Sequence, residues 1–295
     1  MNELRRNLQG IVIRPPSEAG SFLLQVTRGC SHNRCAFCLT YKFIPFAKRP
    51  FEKIREDIML ASKWNRSIRR VFLCDGNAMC LDTEELERIL DCLNNHFPGL
   101  ERVGLYANAS DILTKSPDEL RRLAHKKLRI AYLGLESGND EILKRMNKGA
   151  TSEEMIQAVR KAEESGISMS VIVLLGLGSN KMSLTHARDS ARAVSRMNPS
   201  YLSALTLMLL PGTPLYGDYR KGKFELMNPL SILEELKCFV EGINLESPCI
   251  FRTNHASNYL PIGGTLPQDR EEILEMIDFG LANPEFLRPE SHRAL

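Results

Sequence analysis

Short apolar segments alternate with longer amphipathic segments along most of this chain, and this alternation restricts its fold most strongly. The apolar segments are rich in Leu, Ile and Val with little strict alternation, which is typical of parallel strands buried on both faces. The six candidate strands are Phe22–Thr27, Arg70–Cys74, Arg102–Tyr106, Arg129–Leu135, Ser168–Leu175 and Tyr201–Leu209. Helical patterns fill the gaps between them, so the sequence predicts an α/β fold with a parallel sheet. In such folds the functional groups follow the C-terminal ends of the strands, whether the sheet closes into a barrel or stays open.

The overall composition is that of a globular protein with a hydrophobic core. The chain has 295 residues, of which 43% are hydrophobic and 25% charged. Its net charge of +3 is too small to indicate nucleic acid or a membrane surface as a partner. Met1–Gly10 is polar, unlike a secretory signal, and no apolar run approaches the length of a membrane span. We therefore expect a cytoplasmic protein.

The pattern changes after the turn signal Pro211–Pro214. A helix from about Ser231 to Val240 precedes an irregular polar stretch, Phe251–Gly264, and a last helix runs from about Asp269 to Leu281. The predicted organisation is a lead-in over residues 1–20, a core domain over 21–225, and a C-terminal appendage over 226–295.

Three cysteines, Cys30, Cys35 and Cys38, follow the first strand with the spacing C-x4-C-x2-C. Thiolates are soft ligands that suit zinc or an iron–sulfur cluster. A structural zinc or an ordinary cubane takes four protein ligands, so three leave one metal corner open for a substrate or cofactor. The alternatives are zinc with His32 or His255 as the fourth ligand, an electron-transfer cluster with its fourth ligand elsewhere, or unrelated cysteines.

This loop resembles the signature of the radical SAM superfamily, which is usually C-x3-C-x2-C with an aromatic residue before the last cysteine. Phe37 fills the aromatic position, and the spacing between Cys30 and Cys35 is one residue longer than usual. The later Gly-Leu-Glu-Ser sequence at 134–137 resembles the oxygen-independent coproporphyrinogen oxidase-like and Elp3-like members. The resemblance implies a partial (β/α)6 TIM-like barrel of parallel strands, here with a C-terminal helical appendage.

The resemblance also implies cofactors and a reaction type. The three cysteines would bind three irons of a [4Fe–4S] cluster, and S-adenosylmethionine (SAM) would chelate the fourth. One electron, from a donor such as flavodoxin or ferredoxin, would split SAM into methionine and a 5′-deoxyadenosyl radical that abstracts a substrate hydrogen. The cofactor supplies the chemistry, and the protein positions and shields it.

Further positions at strand ends match SAM-contacting segments of this superfamily. A carboxylate at the end of a buried strand needs a charged or hydrogen-bonding partner, and this supports a binding site at Glu136. The alternatives are a simple Asp-Gly turn at residues 75 and 76 and a helix-start acid at 136. The cofactor-binding residues implied by the resemblance are Asp75, Gly76, Asn77, Glu136 and Gly176.

Polar residues elsewhere are candidates for contacting the substrate. We expect the stretch Phe251–Gly264 to close one side of a substrate cavity, and the alternative is a loop that satisfies its own backbone. The possible substrate residues are Asn108 after the third strand, and Arg252, Asn254, His255 and Asn258 in this stretch.

The remaining five cysteines form no second tight cluster. They are Cys74, Cys80, Cys92, Cys238 and Cys249. This argues against methylthiotransferase and multi-cluster maturase types, and the residues ahead of position 20 are too few for a cobalamin domain. The other hypothesis is a non-catalytic zinc or iron–sulfur protein that carries electrons or binds a partner. Neither hypothesis identifies a substrate.

Overall fold

The structure is a computed structural model that describes residues 8, 10 and 12–294. The described residues form two compact units. The first unit lies within Met1–Asn33, Thr40–Leu133 and Lys161–Met169, and the second within Arg34–Leu39, Gly134–Arg160 and Ser170–Leu295. This division differs from the predicted domain boundaries, which remain predictions. Part of the predicted lead-in, residues 1–20, and most of Met1–Gly10 lie outside the described residues.

The elements up to the sixth strand follow the predicted β-α order. They are β1 (Phe22–Gln25), β2 (Thr27–Arg28), β3 (Ala47–Lys48), α1 (Phe51–Trp64), β4 (Arg70–Cys74), α2 (Thr83–His96), β5 (Arg102–Tyr106), α3 (Ala109–Leu113), α4 (Pro117–His125) and β6 (Leu128–Glu136).

In the first unit, the strands β1, β4, β5 and β6 pair in that order, all in parallel. Leu24 is opposite Leu73, and Leu73 is opposite Leu105. All three side chains lie on the same face and are at most 1% exposed. Phe72 and Cys74, the neighbours of Leu73 in β4, point to the other face and are 0% exposed, so this part of the sheet is covered on both faces. The short pair β2 and β3 is antiparallel and flanks the cysteine loop.

Local sequence signals explain where the helices of this unit begin. Ser116 accepts the Glu119 N–H at 3.2 Å, and the Glu119 carboxylate accepts the Ser116 N–H at 2.7 Å. This capping box, with Pro117 in the first turn, starts α4. Asp82 and Glu85 form the same motif at the start of α2.

The elements after β6 continue the alternation and add a C-terminal part. They are α5 (Asp140–Arg145), α6 (Ser152–Glu164), β7 (Ser168–Leu175), α7 (Ser179–Met197), β8 (Tyr201–Thr206), α8 (Pro214–Arg220), α9 (Pro229–Gly242), β9 (Cys249–Arg252), β10 (Gly263–Leu266) and α10 (Arg270–Ala282).

In the second unit, β7 pairs with β8 and β8 with β9 in parallel, and β10 runs antiparallel to β9. The prediction of an α/β fold is therefore confirmed. The C-terminal part is more than a helical appendage, because β9 and β10 extend the sheet from β8. The stretch expected to be irregular contains both the end of β9 and the start of β10. Among the described residues, no helix is long and apolar enough to cross a membrane.

Candidate functional site

The cysteine loop begins immediately after β2. Cys30, Cys35 and Cys38 are all partly exposed, and none of them forms a disulfide. Gly29 has φ +77°, and a Cβ there would lie 3.0 Å from the Ile44 carbonyl oxygen, so the turn into the loop requires glycine. Within the part of the chain that the structure describes, no three His, Cys, Asp or Glu side chains are arranged to hold a metal ion. The ligand assignment therefore stays a prediction.

Asp75, at the end of β4, is 1% exposed and is bonded to the segment that leads into the cysteines. One of its carboxylate oxygens accepts from Gln25 Nε2 at 2.9 Å and from the Gly29 N–H at 3.2 Å. The other accepts from the Tyr41 hydroxyl at 3.3 Å. Burial raises the pKa of Asp75, and these three hydrogen bonds oppose the rise. The structure thus uses this carboxylate to brace the loop, and its contact with the SAM amino group stays a prediction.

Gly76 brings the backbone after β4 against the cysteine loop. Its N–H donates to the Gly29 carbonyl oxygen at 3.2 Å. A Cβ at this position would lie 2.9 Å from the Cβ of Cys30 and 2.7 Å from the ring of Tyr41. Any larger residue would push the loop away, so the predicted need for close backbone approach at Gly76 has a structural basis.

Asn77 is fully buried and ties three segments together. Its Nδ2 donates to Ser31 Oγ at 2.7 Å and to Asp111 Oδ2 at 2.6 Å. Its Oδ1 accepts the Asn108 N–H at 3.1 Å. The side-chain amide of Asn108 is half-buried and has no hydrogen-bond partner among the described residues. Asn77 is therefore a structural tie, and Asn108 keeps its side chain available to a ligand.

Lys115 is a buried cation near this cluster that the sequence pattern did not indicate. It is 6% exposed, and its Nζ donates to the Met79 carbonyl oxygen at 2.9 Å. Burial lowers its pKa. The nearby Cys80 thiol has its pKa raised to about 11, mainly by burial, so it stays protonated at neutral pH.

Glu136 ends β6 with φ +61°, and its side chain turns back toward Lys148. The Lys148 Nζ lies 2.9 Å from Glu136 Oε1, and both side chains are about one-eighth exposed. A Cβ at Gly134 would overlap the Glu136 carboxylate and lie 3.0 Å from the Lys148 Nζ. The absence of a side chain at Gly134 thus lets the Glu136 carboxylate occupy this position. Lys148 is the partner that a carboxylate at a strand end was expected to need.

Gly176 follows β7 with φ +89°. Its N–H donates to Glu235 Oε1 at 2.7 Å, and its carbonyl oxygen accepts the Ser179 N–H at 3.2 Å. Both backbone groups are therefore used within the chain. Sequence reasoning missed Glu235, although one signal was present. It lies on the apolar face of α9 beside Ile232, Leu236 and Phe239, where a charged residue is unusual.

The polar stretch before β10 is held largely by its own bonds. Asn258 is 4% exposed, accepts from the Thr206 hydroxyl at 2.8 Å, and donates to the carbonyl oxygens of Ala204 and Thr253 at 2.8 and 2.7 Å. Both amide hydrogens and the oxygen of Asn258 are thus engaged within the chain, and its expected substrate role stays a prediction.

The other candidates in this stretch differ in their surroundings. His255 Nδ1 lies 2.9 Å from Ser257 Oγ, and burial lowers the pKa of this histidine. Arg252 is exposed and donates to the Phe251 carbonyl oxygen at 2.9 Å, and Asn254 is exposed. These three residues remain candidates for substrate contact.

The family assignment agrees with this geometry. The sequence model of the Radical SAM superfamily matches residues 24–190, which is more than half of the chain. The chain belongs to the radical SAM superfamily. This confirms the resemblance seen in the cysteine loop and the prediction of an enzyme.

Two curated relatives illustrate the sequence similarity. The chain is 24% identical over 169 residues to 4'-phospho-dehydrooxetanocin synthase of Priestia megaterium. This aligned region covers 52% of this chain and 23% of that protein. It is 28% identical over 178 residues to tRNA-2-methylthio-N(6)-dimethylallyladenosine synthase of Chlorobium phaeobacteroides strain BS1. That aligned region covers 55% of this chain and 37% of the relative. The match thus spans well under half of either relative. The expectation against a methylthiotransferase stays a prediction.

Two solved structures share the fold. Methylornithine synthase (PylB) matches with a TM-score of 0.53 and 18% identity, over 83% of this chain and 74% of that one. Coproporphyrinogen III oxidase (HemN) from Escherichia coli matches with a TM-score of 0.52 and 17% identity, over 74% of this chain and 51% of that one. At these identities the likeness concerns the fold alone, and it confirms the predicted fold class of mostly parallel strands in a partial barrel.

The superfamily implies an iron–sulfur cluster and SAM, and the cysteines of this chain fit the cluster. Three cysteines within nine residues supply soft donors of the kind that iron–sulfur clusters require. At Gly76 the backbone approaches Cys30 so closely that a Cβ would meet it, which brings the strand end to the first of these donors.

Proposed function

We propose that this protein is a radical SAM enzyme that generates a 5′-deoxyadenosyl radical and abstracts a hydrogen atom from a substrate. Cys30, Cys35 and Cys38 would bind a [4Fe–4S] cluster, whose open iron would bind SAM. When bound and reduced, the cluster would supply the electron that cleaves SAM to methionine and the radical. A one-electron donor such as flavodoxin or ferredoxin would supply that electron.

The observation that carries the proposal is the packing of the turn after β4 on the cysteine loop. Gly76 packs against Cys30, and Asp75 accepts the Gly29 N–H, so the strand end and the first predicted cluster ligand are held together. Bound SAM must lie beside its cluster, and backbone carbonyl groups of this turn are suited to accept from its amino group. Asn77 stabilises the turn through its bond to Ser31.

Glu136 and Asn108 are the side chains we assign to ligand contact at the other strand ends. Glu136 is partly exposed and charge-paired with Lys148, so it can bind a polar part of SAM without an uncompensated buried charge. Asn108 has a half-buried amide that is suited to orient a substrate beside the radical.

Anaerobic reconstitution with iron and sulfide tests the cofactor assignment. We expect about four irons per chain and formation of 5′-deoxyadenosine from SAM after reduction. Cys35→Ala should abolish cluster assembly, whereas Cys92→Ala, a buried thiol in α2, should leave the iron content unchanged.

Three results would contradict the proposal. An intact cluster in Cys35→Ala would overturn the ligand assignment. A reduced, iron-loaded protein that never forms 5′-deoxyadenosine would overturn the reaction. Zinc that copurifies alone and resists exchange would favour a non-catalytic metal protein.

A further inference from the structure

One face of α7 carries a row of buried polar side chains. Ser183, His186 and Ser190 are spaced three and four residues apart, so they lie on the same side of the helix. Their exposures are 9%, 0% and 0%. Burying polar groups is unfavourable unless each has a hydrogen-bond partner, so their partners indicate why they are there.

His186 lies at the centre of this row. Its Nδ1 is 2.9 Å from Ser137 Oγ and 3.2 Å from Ser190 Oγ, and its Nε2 is 3.1 Å from the Leu174 carbonyl oxygen. A carbonyl oxygen can only accept, which places the ring hydrogen on Nε2, and a serine hydroxyl can donate to Nδ1. The imidazole therefore bonds to both β7 and the segment after β6.

The segment after Glu136 is fixed by the same residues. The Gly138 N–H donates to Ser190 Oγ at 2.9 Å, and the Asn139 N–H donates to Ser137 Oγ at 3.1 Å. A Cβ at Gly138 would overlap the backbone of α7, so only glycine allows this approach. The strand end that carries Glu136 is thus held on α7.

Glu235 of α9 completes the network from the other side. It is fully buried, its Oε1 accepts the Gly176 N–H at 2.7 Å, and its Oε2 accepts the Ser183 hydroxyl at 2.6 Å. Its Oε1 also lies 3.6 Å from His186 Nε2. The network therefore reaches from the segment after β6 to the turn after β7.

We propose that Glu235 and His186 are positioning residues for SAM. They hold the two strand ends that carry Glu136 and Gly176 in one fixed arrangement, and thereby set the affinity for SAM. This inference rests on the proposed function. Apolar side chains would pack α7 against α9 without burying a carboxylate. This carboxylate accepts the backbone N–H of Gly176 at a strand end, which indicates a role in fixing that strand end.

The test compares Glu235→Ala and Glu235→Gln with Glu234→Gln, a control at an exposed position of the same helix. Each reconstituted protein is assayed for iron content, for equilibrium SAM binding, and for the rate of 5′-deoxyadenosine formation over a range of SAM concentrations. Glu235→Ala should weaken SAM binding and raise its KM about tenfold, with kcat within about twofold of wild type. Glu235→Gln keeps an acceptor for the Gly176 N–H, so its effect should be only about threefold.

The outcomes separate this inference from the proposed function. If the wild-type protein neither binds SAM nor forms 5′-deoxyadenosine, the proposed function fails. If wild type does both and Glu235→Ala matches it in KM and affinity at equal iron content, the positioning role is wrong. A fall in kcat without a rise in KM would also overturn it. Should Glu235→Ala fail to fold, Glu235→Gln and Ser183→Ala provide the test. If both of these variants bind SAM with wild-type affinity and show a wild-type KM, the inference is overturned.

Discussion

Asp75, at a predicted cofactor position, also stabilises the protein's own structure through three hydrogen bonds. The strand-end location followed from the sequence, because it depends on a local apolar segment and an Asp-Gly turn. Its partners did not, because Gln25 and Tyr41 are 50 and 34 residues away along the chain. Glu235 repeats the lesson, since its acceptor role depends on Gly176, 59 residues away. Local patterns therefore indicated the candidate site, whereas the hydrogen bonds around it depend on tertiary packing.

Replacing Asp75 tests its bracing role. Asp75→Ala would leave three donors without their acceptor, two of them side chains, and should lower the free energy of unfolding by about 2–4 kcal/mol. Because one of those donors is the Gly29 N–H next to Cys30, iron retention after reconstitution should fall as well. Urea unfolding of the apo protein and an iron assay measure the two effects. The control is Asp91→Ala, which removes an exposed ion pair and should lower the free energy of unfolding by less than about 1 kcal/mol. An equal decrease in the free energy of unfolding in both variants would refute the bracing role of Asp75.

At the scale of elements, helix starts were the most predictable features and the C-terminal strands the least. Capping residues and proline in the first turn act within four residues, so the start of α4 could be predicted from sequence alone. β9 and β10 are four residues each, and the pairing of β9 with β8 closes over more than forty residues of intervening chain. A short strand with a distant partner leaves little periodicity, which is why this stretch was expected to be irregular.

The capping box of α4 gives the fold a specific acid sensitivity. Hydrogen bonds from Ser116 and Thr83 lower the pKa of Glu119 to about 2, below its ordinary value of 4.5. Since the folded pKa is depressed, the contribution of Glu119 to stability is complete above about pH 4.5 and is lost as the pH falls toward about 2. Glu119→Gln should therefore lower Tm at pH 6 and do so progressively less toward pH 2.5. Melting curves at several pH values measure this, and Asp118→Asn, in the same turn, is the control. A Tm difference that does not depend on pH would contradict the assignment.

At the scale of the whole molecule, the family match and the fold cover most of the chain but do not specify the substrate. The superfamily model ends at residue 190, whereas Glu235 and the candidates Arg252, Asn254 and His255 lie beyond it. The part of the protein common to the superfamily thus holds the predicted cofactor ligands, and the later residues belong to α9, to β9 and to the stretch between β9 and β10. Substrate selection is expected to depend on Arg252, Asn254 and His255, because shared cofactor chemistry does not discriminate between substrates.

Cofactor binding should be visible in the stability of the whole protein. A ligand that binds only the folded state stabilises it by about 2.7 kcal/mol when its concentration is 100 times its Kd. Since the proposed SAM site includes an open iron of the cluster, adding SAM should raise Tm in the anaerobically reconstituted protein. The apo protein should show a much smaller shift, and Cys30→Ala should behave like the apo protein. Calorimetry in sealed cells measures all three, and an equal shift in the apo and reconstituted proteins would mean that SAM binds this fold without the cluster.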